Sequence, residues 1–474
     1  MTADPATPSL GRDRRRGSVL IIVLWICLGL VTLTLYFAHE VNSELQAAAN
    51  RVGEIEARQA VAGAIRYAAY VLNNYAIDGV VPDSGIPPDP VQDYYSAGLQ
   101  VGDVPGDPQF WFIGRDPNDV GTPPLTQPVF SLVDEASKLN LNTATTGMLT
   151  NLCTTILPTT DDTADLVSAI VSWRTRQGQA GSGAANSLYS TLDPARVNKG
   201  AIFETTDELR LVYGATLDIL LGEDTNRNGA LDPNEDDGDQ SPPHDNQDGQ
   251  LQPGLLEYVT AFSNQPTTTI TGGTRVDVTN AGSRQRLMAL MTRKGISGGN
   301  ARTYMQRIGA TVCNSVAQFM VQSRMSAADF ALIHTSIYVA PPAAFNKVEG
   351  LVNVNTASET VLSCLPGISP AVAASMVAYR QANPEALTSF AWLQNVPLGN
   401  NVIRTIGPYI TDQSYQFSAD IAAVGRNGRG YCREKVVFDT SKIIPRIIYR
   451  QDLSSYGWAL GSQLRQTLKT ARIN

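Results

Sequence analysis

Arg14-Arg15-Arg16-Gly17-Ser18-Val19-Leu20-Ile21-Ile22-Val23-Leu24-Trp25 opens an uncharged apolar run that closes only at Ala38. Residues 18–38 number 21. As a helix they span about 31 Å at ~1.5 Å per residue, which matches the hydrocarbon core of a bilayer. A secretory signal would have a shorter apolar core and a small-residue cleavage motif behind it. Phe37-Ala38-His39-Glu40 stands there instead, so the segment reads as a retained membrane helix. Arg12, Arg14, Arg15 and Arg16 precede the span, and His39, Glu40 and Glu44 follow it. The positive-inside tendency then puts the N-terminus in the cytoplasm and the bulk of the chain across the membrane.

A plain single-span anchor is one reading of the span alone. Helical spacing continues past the membrane surface, however, through Ala47, Ala48, Ala49, Val52, Ile55, Ala60, Ala64, Ile65, Ala68 and Ala69 to Asn73, with no Pro. This pattern predicts one helix of about 55 residues, half in lipid and half packed on a soluble domain.

Basic residues, a Gly and a long apolar helix with an amphipathic distal half resemble the precursors of type IV pilins and type II secretion pseudopilins. The resemblance implies cleavage by a prepilin peptidase between Gly17 and Ser18, and an inner-membrane location with the bulk of the chain periplasmic. Most such proteins carry Glu at the fifth mature position, where it meets the amino terminus of a neighbouring subunit. Here that position is Ile22, and no acidic residue precedes Glu40 within the run. An unpaired charge in lipid is costly, so this subunit cannot neutralise the amino terminus of a subunit above it. It can occupy the end of a fibre, where none lies above. That departure is typical of the minor pseudopilins of the K class (GspK, general secretion pathway protein K).

Composition fits an envelope protein of more than one unit. Charged residues make up 17 % and the pI is near 5.1, a balance that suggests no nucleic-acid-binding surface. The formal charge of −8 is local. Glu223, Asp224, Asp232, Glu235, Asp236, Asp237, Asp239, Asp245 and Asp248 stand against Arg227 alone. Cys27 lies in the span, as a packing residue. Cys153, Cys313, Cys364 and Cys432 would face an oxidising compartment, forming one or two disulfides or remaining free buried thiols.

Within the acidic stretch, Asp224-Thr-Asn226-Arg-Asn228-Gly229-Ala230-Leu231-Asp232-Pro-Asn-Glu235 fits a calcium loop of the EF-hand type. Asp224, Asn226, Asn228 and Asp232 put side-chain oxygens at places 1, 3, 5 and 9, and Glu235 at place 12 can bind through both of its own. Gly229 permits the turn at place 6, Ala230 offers its carbonyl, and Leu231 is expected to anchor the loop on the core. One Ca2+ is expected here; a solvated acidic loop is the plain alternative. A degenerate second loop, His244-Asp-Asn246-Gln-Asp248-Gly249-Gln250-Leu251-Gln252, offers Asn246, Asp248 and Gln250 to a second ion. Its place 1 is His244 and its place 12 is Leu255, so Asp245 or Glu257 would have to supply the missing carboxylates.

An internal repeat organises the remainder. Asn140-Leu-Asn142-Thr143-Ala144 recurs as Asn353-Val-Asn355-Thr356-Ala357, each followed by two helical patterns, the second ending in Trp173-Arg174 or Tyr379-Arg380. Leu365-Pro366-Gly367-Ile368 resembles the turn of helix-hairpin-helix modules. A weaker third copy starts at Val276-Asp-Val-Thr-Asn280-Ala281. Such hairpins bind DNA in many proteins, but no Lys or Arg cluster is evident beside the two strong copies, and phosphate binding without charge is weak at physiological salt. They read as packing modules. The same doubled hairpins occur in the K-class pseudopilins.

Strands are expected at Phe110-Trp-Phe-Ile113, Val129-Phe-Ser-Leu-Val133, Tyr258-Val-Thr-Ala-Phe262, residues 415–424, Lys435-Val-Val-Phe438 and Arg446-Ile-Ile-Tyr449. Gly425-Arg-Asn-Gly-Arg-Gly430 reads as a hairpin turn. Pro-rich stretches at 82–90 and 123–124 read as loops, and the tail 463–474 as a mobile polar segment. None of the three histidines lies in a nucleophile or metalloenzyme motif, and Gly181-Ser-Gly183 fits no phosphate loop, so no enzyme is expected.

Together these readings give an α+β protein with a pilin-like fold, a long N-terminal helix on a small antiparallel sheet, and a large inserted helical domain of helix-hairpin-helix-like repeats. The expected segments are a leader at 1–17, the span at 18–38, the rest of the pilin helix and first strands at 39–135, the inserted domain at 136–405 and C-terminal strands at 406–474. By resemblance, the partners are other minor pseudopilins and the pseudopilus, the prepilin peptidase and the inner membrane, with no nucleic acid. A tip pilin of a type IV or DNA-uptake pilus and a membrane-anchored calcium-dependent adhesin remain as alternatives.

Overall fold

The computed structural model describes residues 16–81, 99–100, 106–119, 124–157, 163–176, 189–341 and 347–471. The leader up to residue 15, residues 82–90, Pro123 and Gly181-Ser-Gly183 lie outside them.

One unbroken helix, α1 (Arg16–Tyr75), runs for 60 residues. Its apolar first half is exposed throughout, Val19 to Phe37 ranging from 52 to 72 % among the large side chains. By length and composition it can cross a membrane. The second half turns a narrow face of Ala57, Ala60, Val61, Ala64, Ile65, Ala68, Val71 and Leu72 onto a sheet. Four alanines in that stripe let the helix axis approach closely, and the aliphatic residues between them contribute about 1.5–3 kcal/mol each on burial.

The sheet has seven strands in the order β1 (Leu99–Gln100), β2 (Gln109–Gly114), β13 (Gln416–Val424), β14 (Cys432–Asp439) and β15 (Arg446–Asp452), all antiparallel. Two short strands complete it, β3 (Val129–Phe130) on β2 and β4 (Val133–Asp134) on β13. Side chains alternate as a pleated strand requires. Phe110, Phe112, Phe417, Ala419, Ile421 and Ala423 face α1, while Trp111, Ile113, Ala422 and Val424 face the other way, toward Ala459 and Leu460. The stretch expected as one strand at 129–133 is thus two, interrupted between β3 and β4.

Between β4 and β13 lies the inserted helical part, built on three parallel two-residue ladders. These are β5 (Leu139–Asn140) with β6 (Val259–Thr260), β8 (Val276–Asp277) with β9 (Ile337–Tyr338), and β11 (Val352–Asn353) with β12 (Ile410–Thr411). A fourth ladder, β7 (Asn264–Pro266) against β10 (Lys347–Glu349), is antiparallel. In each parallel ladder the residue after the first strand donates to the partner strand: Leu141 to Thr260 at 2.8 Å, Val278 to Tyr338 at 3.0 Å and Val354 to Thr411 at 3.1 Å. The side-chain oxygen of Asn140, Asp277 or Asn353 then accepts the N–H two residues on, at 2.9, 2.8 and 3.0 Å. That local bond turns the chain from strand into helix, which is why the Asn-x-Asn pattern recurs. Arg380 closes its turn by donating to the carbonyls of Val354 and Ala357 at 3.0 and 2.8 Å, and Arg174 does the same at Leu141 and Ala144. The weak third copy thus shares the ladder and the side-chain bond that starts the turn, while the described hydrogen bonds show the arginine closure in the other two copies.

Two expectations need correcting, and of the two alternatives for the cysteines the structure shows free thiols. Residues 258–262 form a strand only at Val259–Thr260, because the helix Leu255–Tyr258 precedes it. As far as residue 471 the tail is not a loose segment: Gly461–Ala471 is a helix whose Leu464 and Leu468 pack beside Trp458 and Tyr431, and residues 472–474 lie outside the described residues. All five cysteines are free thiols, with Cys153, Cys313 and Cys364 buried in the inserted part.

Candidate metal centre

The acidic loop sits where the inserted part meets the sheet. Asp224, Asn226, Asn228, Asp232 and Glu235 are each at most 9 % exposed, so five oxygen-bearing side chains are withdrawn from water together. Backbone geometry suits the turn: Arg227 and Gly229 have φ of +58° and +72°. Asp224 accepts from the Asn228 and Gly229 N–H groups, both at 2.9 Å, and Asn228 Oδ1 accepts from Ala230 N–H at 2.8 Å. Asp232 Oδ2 accepts from the amides of Asn226 and Asn228 at 2.6 and 3.0 Å. Glu235 Oε2 takes the Asp232 N–H at 3.0 Å, and its Oε1 is buried with no hydrogen-bond partner.

An orphaned, buried carboxylate oxygen facing two other acids is costly. Burial, with the charges of Asp224 and Asp232 behind it, pushes the Glu235 carboxyl up to about 9. Burial also raises Asp224, partly offset by Arg115. The donor set fits a hard, oxygen-seeking cation, for which Asp224, Asn226, Asn228, the Ala230 carbonyl, Asp232 and Glu235 would be the ligands. Among the described residues no three His, Cys, Asp or Glu side chains gather on their own to hold an ion. Two of the side-chain ligands in this set are amides, and the loop's own N–H groups now occupy several of the oxygens.

Two arginines of the sheet side hold the loop from behind, and the sequence alone did not single them out. Arg433 on β14 is fully buried, pairs with Asp420 at 2.6 and 2.8 Å, and donates to the carbonyls of Asn226 and Arg227. Arg115, just after β2, donates to Glu257 at 2.8 and 2.9 Å and to the Arg227 carbonyl at 3.2 Å. A Cβ at Gly229 would stand 2.7 Å from the Arg115 side chain, so only Gly fits there. Leu231 is half-buried rather than a core anchor; its N–H is instead tied to the Leu125 carbonyl at 2.7 Å.

The second loop repeats the backbone of the first. Gln247 and Gly249 have φ of +53° and +70°, at the same places as Arg227 and Gly229. Asn246 and Asp248 accept from the N–H groups of Asp248 and Gln250 at 3.0 and 2.8 Å. The missing carboxylates come from unexpected positions. Asp236 accepts the Gly249 N–H at 3.1 Å, the role Asp224 has in the first loop. Glu223 accepts the Gln252 N–H at 2.9 Å, the role of Glu235. Asp245 instead caps Asp237 and Gly238, and Glu257 is engaged by Arg115, against burial, and held down at about 2. His244 is exposed and lies 3.2 Å from Asp239. Asn246 and Asp248 are exposed and Gln250 half-buried, so this loop is far wetter than the first.

Gly17 and Ser18 fall in the first turn of α1. Residues 347–411 match the helix-hairpin-helix motif family. No curated protein matches the chain. Among solved structures, the chain is similar to one in "The Crystal Structure of the GspK-GspI-GspJ complex from enterotoxigenic Escherichia coli Type 2 Secretion System". The TM-score is 0.38 and the identity 9 %, over 83 % of this chain and 96 % of that one.

Proposed function

We propose that the chain is a minor pseudopilin of a type II secretion system, placed at the tip of the periplasmic pseudopilus. The observation that carries this reading is α1: a continuous rod, bare and apolar for its first half and packed on an antiparallel sheet for its second. A rod of that kind can lie in lipid as an anchor and later pack among like rods in a fibre. Ile22 stands where a stacking subunit would need a carboxylate, which favours an end position. The large inserted part favours it too, because so bulky a head would obstruct repeated stacking.

In this reading a prepilin peptidase removes residues 1–17, and the subunit joins other minor pseudopilins to start assembly. Calcium at Asp224, Asn226, Asn228, Ala230, Asp232 and Glu235 would supply charge neutralisation, and Asp236 and Glu223 would complete a second site with Asn246, Asp248 and Gln250. The residues of the first loop, held by Arg115 and Arg433, orient the inserted part against the sheet. The role is mechanical, with no catalysis. The test is co-purification: expressed in full length with the minor pseudopilins of its own system, the chain should come out of detergent extracts in one complex with them. A chain that elutes alone under those conditions overturns the reading.

A further inference from the structure

A cleft of about 770 Å³ opens between the sheet and the inserted part, within the range of about 300–1,000 Å³ common for ligand sites. Its apolar wall is formed by Leu132 between β3 and β4, Leu251 and Pro253 of the second loop, Tyr258, and Leu387 of the last module. All five are only half-buried, so the fold leaves apolar surface uncovered inside a concave space. Among the described residues, four that line the cleft can carry positive charge: Arg115, Lys138, His334 and Arg380. Three of them are engaged. Arg115 holds Glu257 at 2.8 and 2.9 Å, His334 lies 3.0 Å from Asp412, and Arg380 gives its terminal nitrogens to the carbonyls of Val354, Ala357 and Pro117.

Lys138 is the exception. It follows the turn Glu135–Ser137 in extended backbone, at φ −112° and ψ 158°, so its side chain leaves on the opposite side from Leu139, which enters the core of the inserted part. Only 9 % of it is exposed, yet among the described residues its amine has neither a hydrogen bond nor an ion pair. Glu257 and Glu135 are the carboxylates whose charge reaches it, and each already has its own cation, Arg115 for one and Lys435 at 3.3 Å for the other. Burial holds the amine down at about 8 against the pull of those two acids, and Lys435 and Arg115 add to the depression. An ammonium group so placed is costly unless something anionic meets it, and a Met of similar length would avoid the cost. The opposite charge gathers on the side of the last module. Asp116, Glu359 and Glu385 line the cleft at half-buried or exposed positions, with no ion pair among the described residues. The Arg380 and Gln381 side chains donate to the carbonyls of Pro117 and Asn118, which sets Asp116 beside that module.

We propose that the cleft binds the carboxy-terminal end of a peptide chain, with its free carboxylate on Lys138, its apolar side chains along Leu132, Leu251 and Leu387, and a basic residue further back toward the acids. The inference stands apart from the pseudopilin reading, since it rests on the cleft and not on the filament stem. A single point charge in an apolar wall suits one carboxylate. A phosphate, with nearly two charges, would need a second uncommitted cation, and the described lining has none. A purely apolar ligand would leave the ammonium unmet. A ligand anionic throughout would face Asp116, Glu359 and Glu385 at its other end.

The test is calorimetric titration of the full chain, in non-ionic detergent, with an N-acetylated tetrapeptide of lysine, two alanines and a terminal leucine. The free acid should bind, and the carboxamide of the same peptide should bind at least about tenfold more weakly. Lys138→Met and Lys138→Gln should each give the same loss with the free acid. Lys138→Met should melt no lower than the wild type, because an unmet buried charge is gone. Glu359→Gln with Glu385→Gln should weaken binding of the lysine peptide and leave unchanged that of a peptide with alanine in its place. Absence of binding by the free acid at millimolar concentration, equal affinity for acid and amide, or unaltered affinity in both Lys138 variants overturns the proposal. So does a Lys138→Met chain that melts well below the wild type, which would mark the amine as structural. N-acetylleucine binding as tightly as the tetrapeptide overturns it in favour of a small carboxylate.

Discussion

The Asp134 carboxylate accepts the Thr356 hydroxyl at 2.5 Å, across 222 residues of sequence. The same oxygen accepts from Ser414 Oγ at 2.5 Å and from the Asn353 amide at 3.2 Å. Asp134 ends a strand of the sheet, and Asn353 and Thr356 belong to the repeated turn of the last module. The next residue, Glu135, is bonded to Thr260 of the first module and lies 3.3 Å from Lys435 on β14. Two consecutive carboxylates thus tie sheet, first module and last module at one point.

Burial outweighs those hydrogen bonds at Asp134 and pushes its carboxyl from 3.8 up to about 6. An acid whose folded pKa is raised binds its proton more tightly when folded, so stability falls as pH rises from about 3.8 through about 6. Denaturant melts across that window should show the decline in the wild type. Asp134→Asn should flatten it, whereas Asp134→Ala should cost about 2–3 kcal/mol throughout, by leaving buried donors unmet.

Calcium should raise the thermal midpoint of the wild type, because binding to the folded loop alone is stabilising. In the Asp224→Ala, Glu235→Ala double variant the increment should vanish. Equal melting of the wild type with and without the ion would refute the assignment. In metal-free buffer at neutral pH, Glu235→Gln should leave stability unchanged or raise it, since the side chain, held up at about 9 when folded, then no longer has to take up a proton on folding.

Arg433→Met should weaken the hold of the sheet on the acidic loop. Removing one partner of a buried pair typically costs about 3–5 kcal/mol. Limited proteolysis should then open the chain between residues 223 and 257 before it attacks the sheet.

Gly53 of α1 lies against the turn after β13 so closely that an added Cβ would stand 2.7 Å from the Arg429 carbonyl oxygen. The glycines of that turn answer it: Cβ atoms at Gly425 and Gly430 would come within 2.2 and 2.3 Å of the Gly53 backbone. Gly53→Val should destabilise the docking of helix on sheet by about 1–3 kcal/mol, or more, as overpacking does. A midpoint equal to the wild type would show that the contact is looser than described.

Much of this was legible in local pattern. The apolar run and its alanine-rich continuation gave α1, since helical period and the absence of Pro are local properties. The aromatic, strand-favouring run Phe110-Trp111-Phe112-Ile113 gave the strand, while the facing of Phe110 and Phe112 toward α1 came only with the fold. The Asn140 and Asn353 repeat gave two modules because the turn it makes is closed by its own side chain. What escaped was non-local. Arg115 and Arg433 matter only because distant strands bring them behind one loop. Asp236 and Glu223 answer Gly249 and Gln252 through a fold-back that no spacing rule encodes.

The central claim is that the apolar rod begins a mature protein, trimmed of its basic leader, that anchors first and stems a fibre later. N-terminal sequencing of the protein extracted from membranes of cells that hold a prepilin peptidase tests it most directly. The account predicts a mature chain starting at Ser18 and, in a Gly17→Ala variant, a chain that keeps its leader. Recovery of the wild type still starting at Met1 would contradict it.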